Sequence, residues 1–159
     1  MHFTIRGYRT GDASALIEVF ERSVAGLAPA KYSDMQVAAW LSGTRDARTW
    51  HARIHPREAY VAEGTHGRLL GWIEMELDGH LDFLYCVPEA ARTGIADTLY
   101  AVLVAGARKL GVKRLHTEAS TLAESFFLRH GWSLDARETI TRAGVAIPRA
   151  RMSYRIPGD

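Results

Sequence analysis

Hydrophobic and polar positions alternate with a period of two at the start of the chain and then change to helical spacing. Residues 3–8 alternate, which predicts a strand. Asp12 is a suitable N-cap, and apolar residues recur at helical spacing from there to Val24. A second helix is predicted over residues 33–41, and residues 44–54 fit a helix less clearly. The first third of the chain therefore predicts one strand followed by helices.

The middle of the chain reads as consecutive strands. Residues 59–63 and 68–77 are rich in apolar and β-branched residues, and the turn residues Gly64–Gly67 between them predict a hairpin. Asp78–Gly79 is a strong two-residue turn signal that leads into a third strand over residues 80–87. An antiparallel meander is therefore expected here.

The last third alternates between the two periods. A helix is predicted over residues 94–110, a strand over 114–119, a helix over 122–130, and strands over 133–141 and 146–155. The apolar face of the first of these helices is formed by Ile95, Leu99, Val102, Gly106 and Leu110. The order β-α-α-β-β-β-α-β-α-β-β predicts a mixed α/β sandwich with a partly parallel sheet.

Composition is that of one globular domain. The chain has 159 residues, 47% hydrophobic content and a formal net charge of +2, which is too small to indicate nucleic acid as a partner. Its scattered arginines are expected on the solvated surface. No apolar run reaches about 18 residues and no signal-peptide pattern opens the chain, so neither a membrane span nor secretion is expected. A single cysteine fits a cytoplasmic protein, and a monomer and a homodimer are both compatible with the sequence.

The connection between the strand 80–87 and the helix 94–110 predicts an anion site. Pro88 ends the strand, and Gly94 and Ala96 open the helix with small residues. A helix N-terminus offers free backbone N–H groups and a positive dipole end, and a large side chain there would keep an anion away. The chain contains neither G-x-x-x-x-G-K-[ST] nor G-x-G-x-x-G, so P-loop and dinucleotide-binding proteins are disfavoured.

This segment resembles the acyl-CoA signature of the GNAT superfamily of N-acyltransferases, an L-x-V-x-P strand followed by [QR]-x-x-G-x-[GA]. Leu84 and Pro88 match the strand, with Cys86 in the place of Val. Gly94 and Ala96 match the loop. The sequence departs from the pattern where the family carries Gln or Arg, since Ala91 stands there and Arg92 follows it.

A second segment resembles the GNAT pattern N-x-x-A-x-x-[FY]-[FY]-x-x-x-G-[FW]. Ser120 replaces the Asn, and the matching positions are Ala123, Phe126, Phe127, Gly131 and Trp132. Core packing alone is the alternative explanation of the aromatic pair. Further details resemble the YafP-like branch of small bacterial acetyltransferases, namely Tyr32–Ser33, Gln36, Ala39–Trp40, Asp82 and Ala119–Ser120.

The resemblance implies a single GNAT domain over residues 1–159. It implies an α/β sandwich whose central sheet is mixed but mostly antiparallel, with a parallel splayed strand pair and helices on both faces. It also implies acetyl-CoA as the cofactor, held in the splay, with a backbone N–H of the fourth strand polarising the acetyl carbonyl. The implied cofactor-binding residues are Leu84, Tyr85, Cys86, Val87, Arg92, Thr93, Gly94, Ile95, Ala96, Ser120, Ala123, Phe126, Phe127 and Arg129.

The departing thiolate requires an acid or must leave unassisted. Many relatives carry Tyr as the second residue of the aromatic pair, but this chain has Phe127. Tyr85 is the first candidate for the acid and Ser125 the second. Because a free thiol has a pKa near 8.5, unassisted departure is the third option.

The acceptor amine requires a base, because a protonated amine is not nucleophilic. Asp82 is the first candidate, Glu118 the second and His80 the third. A structural role for Asp82, as a hairpin cap or as the partner of an arginine, is the alternative.

Tyr32, Trp40 and Glu118 are the candidate substrate-binding residues, although core packing also explains the two aromatic ones. The favoured function is direct acetylation of a small-molecule amine. The alternatives are acetylation of a protein or peptide amine, a non-catalytic acyl-CoA-binding regulatory module, and a two-step route through Cys86. No metal site is expected.

Overall fold

The computed structural model describes residues 1–158 and confirms the predicted order of elements, with the less clearly helical stretch 44–54 forming a third helix before the second strand. Seven strands and five helices follow one another in this part of the chain, with short 3₁₀ turns between several of them. Their bounds are β1 (Thr4–Gly7), α1 (Ala13–Leu27), α2 (Asp34–Trp40), α3 (Ala47–Ile54), β2 (Glu58–Glu63), β3 (Leu69–Met75), β4 (Leu81–Cys86), α4 (Ile95–Lys109), β5 (Arg114–Ser120), α5 (Glu124–Arg129), β6 (Ser133–Arg142) and β7 (Val145–Arg155).

The predicted mixed sheet is divided into two antiparallel sheets. One has the strand order β1-β2-β3-β4 and the other the order β5-β7-β6. No parallel ladder is found within residues 1–158; the parallel pairing between the β4 and β5 regions is limited to an isolated bridge between His80, just before β4, and His116 of β5. The Thr117 hydroxyl donates to the Leu81 carbonyl at 2.7 Å. That carbonyl is therefore bonded to a side chain, and no regular β4–β5 ladder continues beyond it.

Helices cover both faces of the four-stranded sheet, as predicted. Helix α4 packs against β1 to β4 on one face, and α1 packs against β3, β4 and α3 on the other. The buried stripe of α4 contains Leu99, Leu103 and Ala107. Leu110, predicted on this stripe, is instead 52% exposed because it is the C-cap residue, where the helix ends.

The N-terminal caps differ between the first two helices. Ser33 and Gln36 form a capping box at α2, in which each side chain bonds to the other residue's backbone N–H. Asp12, predicted to cap α1, makes no cap hydrogen bond, since its backbone is already helical. Its carboxylate instead accepts from Arg6 at 2.9 Å.

The longest helices have 15 residues, and no helix in residues 1–158 has the length and apolarity needed to cross a membrane.

A β-bulge interrupts the pairing of β3 with β4. Glu74 pairs with Phe83 and Met75 pairs with Leu81, so Asp82 has no partner in the register. An extra residue of this kind changes the direction of its side chain relative to the regular alternation. The bulge therefore brings a carboxylate to the same part of the sheet as Phe83.

Candidate active site

A cavity of about 720 Å³ lies where the two sheets separate. Its walls fall into two groups. We call one the loop half, formed by the β4 edge, the start of α4, and α5 with the turn before it. The other is the aromatic half, formed by α1, α2, α3, side chains of β4 and the β6–β7 hairpin. Its aromatic lining consists of Phe20, Tyr32, Trp40, Trp50, Phe83 and Tyr85.

The start of α4 carries free backbone donors, as the sequence predicts. Gly94 has a φ of +87°, a left-handed conformation that favours glycine. The N–H groups of residues 94–97 donate to no backbone carbonyl in the described chain, and the first returning bond is from the Thr98 N–H to the Gly94 carbonyl at 3.0 Å. A Cβ placed on Gly94 meets no atom within 4 Å. This open, donor-rich turn fits a phosphate or pyrophosphate.

Most of the cofactor-binding residues implied by the resemblance line the cavity, and three side chains do not. The Val87 side chain is 1% exposed, and its N–H donates to the Leu70 carbonyl at 2.9 Å. The Thr93 hydroxyl donates to the Ala90 carbonyl at 2.5 Å, and the Ile95 side chain belongs to the core. The implied residues that line the cavity are Leu84, Tyr85, Cys86, Arg92, Gly94, Ala96, Ser120, Ala123, Phe126, Phe127 and Arg129.

The free edge of β4 presents the backbone of alternate residues to the cavity. Because the Val87 N–H bonds to β3, the alternation of an antiparallel ladder directs the Tyr85 N–H and carbonyl to β3 as well. Leu84 and Cys86 therefore direct theirs towards β5, where no ladder takes them. Burial raises the pKa of the Cys86 thiol to about 12, so this thiol stays protonated and is a poor nucleophile.

Helix α5 closes the loop half with an aromatic pair. Phe127 is buried and packs on Trp132 with ring centroids 4.7 Å apart, so it serves the core and lines the cavity at once. Arg129 donates to Asp97 at 2.9 Å, which ties α5 to the first turn of α4. The Ser120 hydroxyl accepts the Ala123 N–H at 3.1 Å and orders the turn before α5.

Asp82 lines the cavity and also has an arginine partner. Arg57 donates to its carboxylate at 2.7 Å. The same guanidinium lies 3.5 Å from Glu74 and 3.6 Å from Glu76. Asp82 is therefore both the partner of an arginine, which is the structural role considered for it, and a residue that faces the cavity. The ion pair holds the carboxylate in one position.

Glu74 is a buried carboxylate that the sequence analysis missed. It is 0% exposed, accepts from Arg53 at 3.1 Å through Oε1, and leaves Oε2 without a partner in the described residues. Burial raises the pKa of Glu74 to about 7 against the opposing charges of Arg53 and Arg57. A single charged residue within the apolar strand Leu69–Met75 was the signal that could have revealed it.

The second and third base candidates form one hydrogen-bonded group. The two ring nitrogens of His80 lie 2.8 Å from Glu76 and 3.1 Å from Glu118. Burial acts to lower the pKa of His80, but the hydrogen bond to Glu76 and the nearby carboxylates outweigh it and raise the pKa. Glu76, His80 and Asp82 place ligand atoms within 4.8 Å of one another, and Arg57 already supplies positive charge to both carboxylates.

The two acid candidates are placed differently. The Tyr85 ring lines the aromatic half, 5.0 Å from the Phe20 ring and 6.4 Å from the Trp40 ring. Burial raises the pKa of the Tyr85 phenol well above its ordinary value. Ser125 is exposed on α5 and does not line the cavity, because the opposite face of that short helix holds the aromatic pair.

The three predicted substrate-binding residues all line the cavity. Tyr32 and Trp40 meet edge to face at 5.4 Å. The Tyr32 hydroxyl donates to the Pro148 carbonyl at 3.1 Å and accepts the Thr121 N–H at 2.7 Å, so only its ring remains for a ligand. Four further residues of the aromatic half were not singled out by the sequence, where they read as solvated surface: Arg45, Arg53, Arg142 and Arg149.

Relatives of known structure share this architecture. The chain is 26% identical to a GCN5-related N-acetyltransferase from Rhodopseudomonas palustris, with a TM-score of 0.88 over 98% of this chain and 96% of the other. It is 19% identical to the PaiA N-acetyltransferase from Thermoplasma acidophilum, solved in complex with coenzyme A, with a TM-score of 0.76 over 98% and 99% of the two chains.

Sequence comparison agrees with this similarity. The chain is 28% identical over 151 residues to YafP of Escherichia coli (strain K12), an uncharacterized N-acetyltransferase, and the match covers 95% of each chain. The family model described as "Acetyltransferase (GNAT) domain" matches residues 28–153. With its divided sheet, open α4 turn and aromatic cavity, the chain therefore belongs to the GNAT family of acetyltransferases.

Proposed function

We propose that this protein is a single-domain N-acetyltransferase that transfers the acetyl group of acetyl-CoA directly to an amine of a small molecule. The observation that carries the proposal is the pairing of two free sets of backbone donors. One set is the start of α4, where residues 94–97 donate to no backbone carbonyl, and the other is the β4 edge at Leu84 and Cys86. A long ligand with a pyrophosphate at one end and amides along its arm matches both sets.

In this proposal β4 and β5 are the splayed pair that holds the cofactor. Bound there, acetyl-CoA supplies an activated acetyl thioester. The Leu84 and Cys86 backbones bind its amide groups, and an N–H of this edge donates to the acetyl carbonyl oxygen, where negative charge develops. The Phe126 and Phe127 rings pack beside its arm and exclude water.

Asp82 is the proposed base, and it accepts a proton from the acceptor nitrogen directly or through one water. Its carboxylate lines the cavity and is held by Arg57 at 2.7 Å. Tyr85 is the proposed hydrogen-bond donor to the departing sulfur. Because burial raises the pKa of its phenol, Tyr85 remains protonated at working pH and donates a hydrogen bond more readily than a proton.

Two contacts support a small acceptor over a protein or peptide. The Gln36 side chain donates to the Ala146 carbonyl at 3.1 Å, and Tyr32 donates to the Pro148 carbonyl at 3.1 Å. These bonds hold the α2 region against the β6–β7 hairpin, so that the two together form one side of the aromatic half. An extended peptide would need an open groove along this surface. Because burial raises the pKa of the Cys86 thiol, this thiol is a poor nucleophile, which supports direct transfer over a two-step route through Cys86.

Calorimetry with acetyl-CoA, ATP and NAD, followed by thiol release with a panel of amines and peptides, tests the proposal. We expect binding of acetyl-CoA only, and release of thiol with small amines. Absence of acetyl-CoA binding would refute the proposal. Binding with no release for any amine would favour a regulatory module, and release with peptides alone would favour a protein acetyltransferase.

A further inference from the structure

Charges around the aromatic half are paired with one exception. Asp82 pairs with Arg57, and Glu118 bonds to His80. Two of the arginines lining this half are also compensated, Arg53 by Glu74 at 2.8 Å and Arg149 by Glu138 at 2.8 Å. Arg142 has no carboxylate within 4.0 Å among residues 1–158. Arg142 is exposed to solvent and also lines the cavity, so its positive charge faces the cavity without a carboxylate partner.

Arg142 is held at the cavity by the end of the β6–β7 hairpin. It pairs with Val145 across the turn, and the hairpin is fastened to the rest of the molecule through Ala146 and Pro148. Burial raises the pKa of the Tyr85 phenol, while the charge of Arg142 acts in the opposite direction. Arg142 and Tyr85 both line the cavity.

A second arginine of the aromatic half, Arg45, has an ion pair longer than those of Arg53 and Arg149. The Arg45 guanidinium lies 5.1 Å from the centroid of the Phe20 ring and donates to the Leu41 carbonyl at 2.7 Å. Its nearest carboxylate, Glu21, is 3.5 Å away and half exposed, and its buried Nε has no partner in the described chain. The aromatic wall is therefore bordered by cations, while the candidate base Asp82 lies on β4.

We infer that the acceptor carries an anionic group, a carboxylate or a phosphorus oxoanion, in addition to its amine, and that Arg142 binds this group. The inference rests on the proposed function and adds a substrate class to it. An acceptor of this kind has a cationic end for the carboxylate of Asp82 and an anionic end for a guanidinium, which binds oxoanions in a bidentate manner. The rings of Tyr32 and Trp40 suit an apolar portion between the two ends.

Matched acceptors test the inference. L-phenylalanine is compared with phenethylamine, and 4-aminobutyrate with butylamine, each together with its phosphonate counterpart. We expect kcat/KM to be about 10- to 100-fold higher for an anionic member than for the neutral amine of the same series, as for hydrogen bonds to charged groups. The two kinds of anion distinguish a carboxylate acceptor from a phosphorus oxoanion acceptor.

Arg142→Gln should remove this preference mainly by raising the KM of the anionic acceptors. Arg142→Lys should restore part of it. Arg151→Gln is the matched control, because Arg151 lies on the same hairpin, is exposed and does not line the cavity. It should behave like the unaltered protein.

Calorimetry with the same compounds, in the absence of acetyl-CoA, gives a second readout that does not depend on turnover. The inference is overturned if anionic amines neither bind nor react better than neutral ones, or if Arg142→Gln keeps the preference. These results are separate from a failure of the proposed function, which would appear as absence of acetyl-CoA binding while the binding of anionic amines to Arg142 is still measured.

Discussion

The two halves of the cavity are built by different means. In the loop half, the groups that face the cavity are mainly backbone N–H groups, from residues 94–97 and from the β4 edge. In the aromatic half they are side chains that come from helices, a loop and a hairpin distant from one another in sequence. The first construction tolerates many side chains as long as the backbone keeps its shape. The second depends on the identity of each residue.

This difference separates the binding of the cofactor from the choice of acceptor within one cavity. A backbone edge and a helix N-terminus can hold the same long ligand in many proteins, since every residue provides the same donors. Aromatic rings and guanidinium groups recognise the charge and shape of an acceptor. Changes to the two halves should accordingly have separable effects on cofactor affinity, turnover and acceptor choice.

The largest effect is expected from Gly94→Arg, which changes the loop half only. Its side chain would occupy the open space at the α4 turn and displace the phosphate from the N–H groups. Loss of two or more charge-assisted hydrogen bonds should weaken acetyl-CoA binding by about 10²–10⁴-fold in calorimetry.

Gly111→Arg is the control for backbone strain. Gly111 follows the same helix, has a φ of +80° and also has open space around it. Both variants should lose about 1–2 kcal/mol of stability from the left-handed conformation, but only Gly94→Arg should lose binding. Equal affinities for the two variants would place the phosphate site elsewhere.

Asp82→Asn should lower kcat by about 10²–10⁴-fold, the usual contribution of a general base. Acetyl-CoA affinity should hardly change, since Asp82 belongs to the acceptor side. Steady-state kinetics and calorimetry measure the two quantities, with Asp135→Asn on the exposed face of β6 as the control. Near-normal turnover in Asp82→Asn, together with loss of turnover in His80→Gln, would assign the base to the His80–Glu118 pair.

Glu74 provides a prediction about stability. Its pKa is about 7 in the folded protein against an ordinary value of 4.5, so between these values the folded state binds the extra proton. Stability due to this group is complete below pH 4.5 and is lost as the pH rises through 7. Relative to Glu74→Gln, the protein should lose about 3 kcal/mol of unfolding free energy over that interval.

Urea denaturation of both forms at pH 5 and pH 8 measures the difference. Comparison of the two forms cancels the titration of His80 and the surface groups, which both share. A pH-independent difference would mean that the Glu74 carboxylate is ionised throughout, held by Arg53 and Arg57.

The smallest effect is expected from Tyr85→Phe. Because burial raises the pKa of this phenol, its ionisation lies above the working range, and loss of a hydrogen bond should reduce kcat by about tenfold or less. The alkaline limb of the pH–rate profile should stay in place. Phe127→Tyr in the same background should recover part of the loss if its hydroxyl reaches the sulfur. A displaced alkaline limb in Tyr85→Phe would instead show proton transfer from this residue.

Sequence predicted the open backbone turn at the start of α4 because its signals are local. Gly94 and Ala96 lie within a few residues of the N–H groups that they uncover, and the caps, turns and periodicities that order the elements are equally local. The errors fall where local signals end. Leu110 continues the helical period but lies beyond the last turn, and Asp12 fits a cap by type but is bonded to Arg6.

The aromatic half was predicted only in part for a physical reason. Whether Asp82 is free or paired depends on Arg57, which is brought to it by the packing of α3 and by a one-residue bulge. Arg142 is brought to the cavity that Tyr85 lines, 57 residues away in the sequence, by the docking of a hairpin. Contacts between residues so far apart in sequence depend on the tertiary structure. A single charged residue in the sequence does not indicate which partner it will have.

The isolated bridge between His80 and His116 is a narrow junction about which one sheet can rotate relative to the other. Cys86, the last residue of β4, lies six residues from His80, which corresponds to about 20 Å of extended chain. A rotation of about 10° between the sheets would displace this end of the strand by about 3 Å, while the contact at the bridge remains intact. A small rotation therefore sets the width of the gap at Cys86. The angle between the two sheets, rather than any one side chain, determines the thickness of the molecule that can lie between them.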